Sequence, residues 1–276
     1  MMDNTAQIDY WNGAAGRKWV RDADRLDKML RPFLDGVLAA AKPVAGESVT
    51  DIGCGAGALS LAVAGKGAVA TGVDVSEPLI AVARRRAAVN APGTRFVVAD
   101  AADWTPEQPA NLVVSRFGVM FFADPVAAFA NIRKGASPGG RLVFACWRPL
   151  AENEWALAPI LAAMPFLREP PKPPEPGTPG PFAFGPREHI ERVLTDSGWT
   201  GIQISPWDGL IELPGATASE TADFMLEIGP LSRAIAEQGL DAVKIRDALV
   251  ARVQDLADAE GRTRLKAATW IVEASA

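Results

Sequence analysis

The residues best placed to do chemistry lie in the stretch VTDIGCGAGALSLAVA, which begins at Val49. A β-rich run ends at Asp51 and Ile52, glycines follow at 53, 55 and 57, and an Ala-rich helical pattern starts at once. Glycines at such a turn let a ligand approach the backbone closely, and alone they would suit many nucleotides. Asp74, 17 residues after Gly57, ends the next β-rich run in TGVDVS. A carboxylate there can accept both hydroxyls of a ribose, so the pair indicates an adenosine cofactor. Spacing narrows the choice. A dinucleotide fingerprint, G-x-G-x-x-G, aims a helix N-terminus at a pyrophosphate. This loop is G-x-G-x-G with Asp51 just before it. That carboxylate would repel a pyrophosphate and attract a cofactor with a cationic sulfonium and an ammonium group.

Other reactive side chains are few. His189, the single histidine, is the first candidate for a general base, although it stands beside the apolar Ile190 on a helical pattern, where a structural histidine is the commoner case. Arg116 follows a β-rich run and precedes Phe117, Met120, Phe121 and Phe122, a composition that suits a cleft wall. Tyr10, the single tyrosine, lies with Trp11 and Trp19 in YWNGAAGRKW, ahead of the first β-rich run. Trp147 and Trp155 flank the end of a later one and are read as lining an acceptor pocket, with core packing as the alternative. Cys54 and Cys146 have no Cys or His partner nearby, so neither a disulfide framework nor a metal site is expected. Arg84 to Arg86 read as a solvated helix face.

These residues need a frame. From 48 to 147, five short apolar runs, SVTDIG, AVATGVDV, TRFVVADA, NLVVSRFG and GGRLVFACW, are separated by helical stretches or loops. Such alternation predicts a parallel, doubly wound α/β sheet covered on both faces. SPGG at 137–140 reads as a turn feeding the fifth run. Residues 165–186 hold nine of the 22 prolines and predict a long extended flap. PREHIERVLTDSGW predicts a helix with proline at its start and Gly198 after its end. A strand, GIQISPW, follows, then helices over 217–260 with capping-box spacing at Thr217 and Glu220, and a terminal strand, KAATWIVEAS. The expected organisation is a helical lid over 1–44, a core over 45–149, cap insertions over 150–266 around strand 201–207, and a closing strand over 267–276.

A net charge of −5, with no basic run longer than three residues, leaves no surface for a nucleic acid backbone. The first residues form no basic leader or apolar targeting region, and no 18 apolar residues run together. The expectation is a soluble cytoplasmic protein without nucleic acid or membrane partners, acting on a small molecule and possibly homodimeric.

VTDIGCGAG, TGVDVSEPLIAVARRRA, FVVADAADW, NLVVSRFGVMFFADP and SPGGRLVFACW stand in the order and spacing of the class I S-adenosylmethionine-dependent methyltransferases. Over about residues 45 to 150 the chain most resembles bacterial small-molecule enzymes related to the ubiquinone and menaquinone biosynthesis methyltransferases. The resemblance implies a Rossmann-like sheet of seven strands, the last inserted antiparallel, with a helical cap and S-adenosylmethionine as cofactor. It places Gly53 and Gly55 at the methionine part, Asp51 near its ammonium, Asp74 on the ribose, Val75 on the adenine, Asp100 on its amino group and Ala101 at the ring. Ser115, Arg116 and Phe117 would border the sulfonium and the acceptor.

The same resemblance gives the amino-terminal aromatics a place over the cofactor. Tyr10, Trp11 and Trp19 would form a lid, Arg17 would meet the cofactor carboxylate, and Asn12 and Gly13 would allow a turn. The alternative is a plug behind the core, chiefly for Trp19, which a helix running on to Phe33 could turn inward. The implied activity is direct in-line methyl transfer to a small hydrophobic or aromatic acceptor, with Tyr10, His189 and Arg116 as the candidates for catalysis. A non-catalytic S-adenosylmethionine binder is the alternative, and an NAD(P)-dependent oxidoreductase a more remote one.

Overall fold

The structure, a computed structural model, describes residues 4–169 and 178–276. The middle of the predicted proline-rich flap, 170–177, lies outside the described residues. Helices α1 (Thr5–Asn12), α2 (Ala14–Arg21), α3 (Ala23–Met29) and α4 (Arg31–Ala41) lead into the sheet. Then come β1 (Ser48–Ile52), α5 (Ala58–Ala64), β2 (Val69–Asp74), α6 (Glu77–Asn90), β3 (Arg95–Val98), β4 (Ala110–Arg116), α7 (Pro125–Lys134) and β5 (Ala136–Trp147). The second half adds α8 (Glu154–Ala163), α9 (Arg187–Asp196), β6 (Thr200–Glu212), α10 (Ala218–Glu227), α11 (Pro230–Gln238), α12 (Ala242–Leu256) and β7 (Arg264–Ser275).

The strands form one sheet in the order β3-β2-β1-β4-β5-β7-β6. The β1, β2, β3, β4 and β5 pairings are parallel, while β7 runs antiparallel between β5 and β6. Central strands β1 and β4 are buried along almost their whole length, as their unbroken apolar runs require when helices cover both faces. The order reverses between β1 and β4, so the loops after these strands open a crevice at their carboxyl ends.

Several boundaries differ from the sequence reading. SPGG lies inside β5, where five steps along the strand from Ala136 to Arg141 match two on β4 from Ala110 to Leu112. The turn residues are taken up in a bulge and do not precede the strand. β6 runs on to Glu212 and carries Pro206, which an edge strand tolerates because its unpaired side needs no donor. The leading segment is not one helix to Phe33, since it breaks after Asn12, Arg21 and Met29.

At the start of α10, Thr217 Oγ1 accepts from the Glu220 amide at 3.2 Å, and the Glu220 carboxylate accepts from the Ala216 amide at 2.7 Å. Ile245, Leu249 and Val253 of α12 are buried against the cap helices. The ends of the flap are anchored on either side of its undescribed middle. Arg168 and Glu169 bond to Gln238 of α11, and the Gly180 amide donates to Met120 O at 3.0 Å.

Candidate active site

The crevice is built by backbone packing before any ligand enters. Gly53 has φ +64 and lies against Gly118; a Cβ on Gly53 would stand 2.6 Å from Gly118 Cα, and one on Gly118 would stand 2.5 Å from Ile52 O. Only two glycines allow the loops after β1 and β4 to approach so closely. Ser115, fully buried, fastens the same junction, donating to Ile52 O at 2.7 Å and accepting from the Gly118 amide at 3.2 Å. Its hydroxyl is spent on this staple, so its side chain does not border the crevice as expected. Phe117, between them, takes a left-handed backbone with φ +64, an uncommon conformation for a side chain of this size.

Asp51, the last but one residue of β1, is 1% exposed. One carboxylate oxygen, Oδ2, accepts from Ser60 Oγ at 2.6 Å, and Oδ1 is buried without a partner among the described residues. Burial pushes its pKa up to about 7, opposed by the Ser60 bond and by the charge of Arg116. A buried carboxylate with a free oxygen is disfavoured until a cation reaches it. Asp74 is oriented by two backbone donors, the Gly55 amide to Oδ2 and the Ser76 amide to Oδ1, both at 2.8 Å. Burial raises its pKa and these amides oppose the rise. Asp100 accepts from the Ala102 amide at 2.9 Å, and Ala101 beside it is buried. Asp51, Gly53, Gly55, Asp74, Val75, Asp100 and Ala101 therefore gather at the carboxyl ends of β1, β2 and β3.

Arg116 reaches away from the sheet to α3, with Nη1 3.4 Å from Leu30 O and Nη2 3.3 Å from Asp27. Asp27 also pairs with Arg86 at 2.8 Å, and Arg86 donates to Ala56 O of the glycine loop at 3.0 Å. Arg86 is thus not on a solvated face. It extends the buried stripe of Leu79, Val82 and Ala83 on α6, so its inward position was readable from helical spacing, although its partners were not. Arg84 and Arg85 are exposed, as a solvated face requires, and Arg84 also donates to Phe96 O.

The amino-terminal segment docks on the loop after β2. Asn12 Nδ2 donates to Val75 O at 2.9 Å, its Oδ1 accepts from the Glu77 amide at 3.0 Å, and Ser76 Oγ donates to Trp11 O at 2.9 Å. Asn12 is therefore a docking residue as well as a helix end. Trp11 meets Tyr10, Trp19 and Phe121 edge to face, with centroids at 5.2, 5.7 and 5.2 Å. Trp19 is half-buried and packs on the core, and Arg17 is exposed on α2. Tyr10 is 56% exposed, and burial by its surroundings raises the phenol above its usual value against the opposing charge of Arg233 on α11. A raised phenol stays protonated near neutrality, which disfavours Tyr10 as a base.

The expected pocket tryptophans are core residues. Trp147 is 4% exposed and stacks on Phe117 at 4.1 Å with Phe33 against it, and Trp155 is 8% exposed, with its Nε1 donating to Asn153 at 3.1 Å. Phe33 of α4, Phe117 and Trp155 surround the Trp147 ring, and Phe182 packs on Trp155. His189 packs on Phe184 and its Nδ1 lies 2.9 Å from Arg192; burial and that guanidinium lower its pKa. The His189 contacts stay with Phe184 and Arg192. Cys54 and Cys146 are buried, and burial raises both thiols. No group of three or more potential metal ligands occurs among the described residues.

Sheet order and crevice define the class I methyltransferase architecture. Residues 49–140 match the family described as methyltransferase domain. The chain is 33% identical over 144 residues to a trans-aconitate 2-methyltransferase of Streptomyces avermitilis, covering 50% of this chain and 51% of that protein. It is also 33% identical over 104 residues to a ubiquinone biosynthesis O-methyltransferase of Thiobacillus denitrificans, covering 37% and 45%. The chain thus spans about half the length of the curated relatives it matches. The solved magnesium protoporphyrin IX methyltransferase of Synechocystis PCC 6803, with bound SAH, superposes with a TM-score of 0.53 at 20% identity over 76% of this chain and 93% of that one. Residues 49–140 are thus similar to a methyltransferase domain, carried on a sheet with the class I methyltransferase fold. No helix among the described residues is long and apolar enough to cross a membrane.

Proposed function

We propose that the chain is an S-adenosylmethionine-dependent methyltransferase acting on a small acceptor with an apolar or aromatic body. The observation that carries the cofactor reading is the buried, unpartnered Oδ1 of Asp51 at the mouth of the glycine loop. A pyrophosphate has no use for this oxygen, whereas an α-ammonium group supplies its missing donor. The other residues fit the same ligand. Gly53 and Gly55 leave room at the backbone, Asp74 is fixed by two amides with lone pairs to spare for ribose hydroxyls, and Val75 and Asp100 flank the place of the adenine. Among the described residues Arg116 makes only long polar contacts, with Asp27 and Leu30, so its guanidinium can also serve a carboxylate.

The cofactor supplies an electrophilic methyl group on a sulfonium. The protein's part is to align an acceptor with it and to exclude water, which can contribute on the order of 7 to 11 kcal/mol without a dedicated acid or base. The Trp11, Trp19 and Phe121 cluster provides an apolar wall between the lid and the turn after β4, and this supports a hydrophobic or aromatic acceptor. The raised phenol of Tyr10 and the remote His189 leave proton removal to the acceptor itself, as for an already ionised phenol or a neutral amine.

Incubation with methyl-labelled S-adenosylmethionine and a panel of small phenols, acids and amines tests this reading. Label should move to a small molecule, and Trp11→Ala should lower turnover more than cofactor affinity. Calorimetry showing that NAD(P) binds and S-adenosylmethionine does not would overturn it.

A further inference from the structure

We infer that Asn4 is a cofactor ligand that reads the exocyclic amino group of adenine together with Asp100. The inference rests on the reading of the crevice as the S-adenosylmethionine site. Asn4 stands just before α1, and its Nδ2 donates to Asp100 Oδ2 at 2.9 Å across 96 residues of sequence. Its Oδ1 is buried and has no partner among the described residues. A buried carboxamide oxygen is unfavourable until a donor reaches it, so this atom marks a place where a donor is missing.

The surrounding geometry names the donor. α1 is tied at its far end by Asn12, which bonds Val75 O and the Glu77 amide. The helix therefore spans from Val75 to Asp100, the two positions that flank the adenine in the proposed site. An exocyclic amino group carries two N–H donors. Asp100, steadied by the Ala102 amide on Oδ1 and by Asn4 on Oδ2, accepts one, and Asn4 Oδ1 accepts the other. The bond to Asp100 also fixes which end of the carboxamide is nitrogen, leaving oxygen as its free acceptor. A keto oxygen in place of the amino group, as in an inosine ring, would meet two acceptors and no donor. The first helix is thus a wall of the adenine pocket as well as a cover for the acceptor.

Calorimetric titration of the full chain with S-adenosylhomocysteine and with S-inosylhomocysteine tests this assignment, using wild type, Asn4→Ala and the volume-preserving Asn4→Leu. Preference for the adenosyl ligand should fall about fivefold in both variants, the effect of one neutral hydrogen bond, with thermal unfolding confirming that each variant folds. Equal weakening of both ligands would mean that Asn4 acts only through lid docking, and unchanged affinities would mean that it does not act; either result overturns the assignment alone. Failure of wild type to bind either ligand would instead remove the cofactor reading, and this inference with it.

Discussion

Cofactor affinity should fall steeply as the pH drops below 7, and Asp51 is the reason. Its carboxyl is 1% exposed, and burial lifts its pKa from 3.8 to about 7 in the free protein. Only the ionised form complements an ammonium at Oδ1, so the apparent dissociation constant is the intrinsic one divided by the ionised fraction. With a pKa of about 7 that fraction is about 3% at pH 5.5 and about 75% at pH 7.5, a change of about twenty-fivefold. An α-amino group titrates near about 7.7 to 8.0, so the ligand begins to lose its proton only at the upper end of this window, and the Asp51→Asn profile separates its titration from that of Asp51. Binding should release close to one proton at the acid end and few at the other.

Folding stability runs the opposite way. A carboxyl raised in the folded state contributes stability that is complete below about pH 4 and lost as the pH rises through about 7, at most about 4 kcal/mol. The free protein therefore weakens over the range in which its cofactor affinity grows. Titration calorimetry with S-adenosylmethionine, in two buffers of different ionisation enthalpy, measures both the slope and the proton count. Asp51→Asn should bind weakly with almost no slope. A flat wild-type profile, or the same slope in Asp51→Asn, would refute the role assigned to this carboxylate.

The remaining expectations concern the parts that hold the crevice together. Arg116→Met removes a charge that lowers the Asp51 pKa, so the midpoint of the affinity profile should move to higher pH. Gly118→Ala places a Cβ 2.5 Å from Ile52 O and 2.7 Å from Gly53 Cα, and forcing these backbones apart should cost about 1 to 3 kcal/mol and lower Tm by several degrees in a melting scan. Asn12→Ala removes the bonds to Val75 O and the Glu77 amide; amide hydrogen exchange in residues 5–12 should accelerate about tenfold, with global stability nearly unchanged. Trp147→Ala should cost about 3 to 5 kcal/mol in denaturant unfolding, because the ring is stacked in the core and does not line an open pocket.

The sheet and its cofactor loop were legible because their signals are local and repeat. Runs such as NLVVSRFG are apolar through and through, which a central parallel strand needs, and each is followed by its own helix pattern or loop. The glycine loop and Asp74 carry positional meaning in single residues. Trp147 and Trp155 misled because aromatic type does not say which way a side chain faces. That depends on which distant rings reach it, here Phe33 of α4, 114 residues earlier, together with Phe117.

The polar clamps of the lid were the least legible part, and the reason is physical. Asn4, Asn12 and Asp27 look like ordinary surface residues on short helices, since periodicity separates apolar from polar faces but does not separate a polar group that meets water from one that meets a distant backbone. Their partners, Asp100, Val75 and Arg86, lie 96, 63 and 59 residues away. Such contacts exist only after the sheet has brought strand ends together beneath α1 and α3. Their dependence on the sheet has a consequence: α1 is held by a few hydrogen bonds to the rim of the crevice more than by apolar burial, for it buries no residue fully, whereas α3 and α4 bury Leu26, Phe33 and Leu34. A helix attached in this way can loosen without disturbing the core, and a donor that satisfies Asn4 Oδ1 would tighten it again.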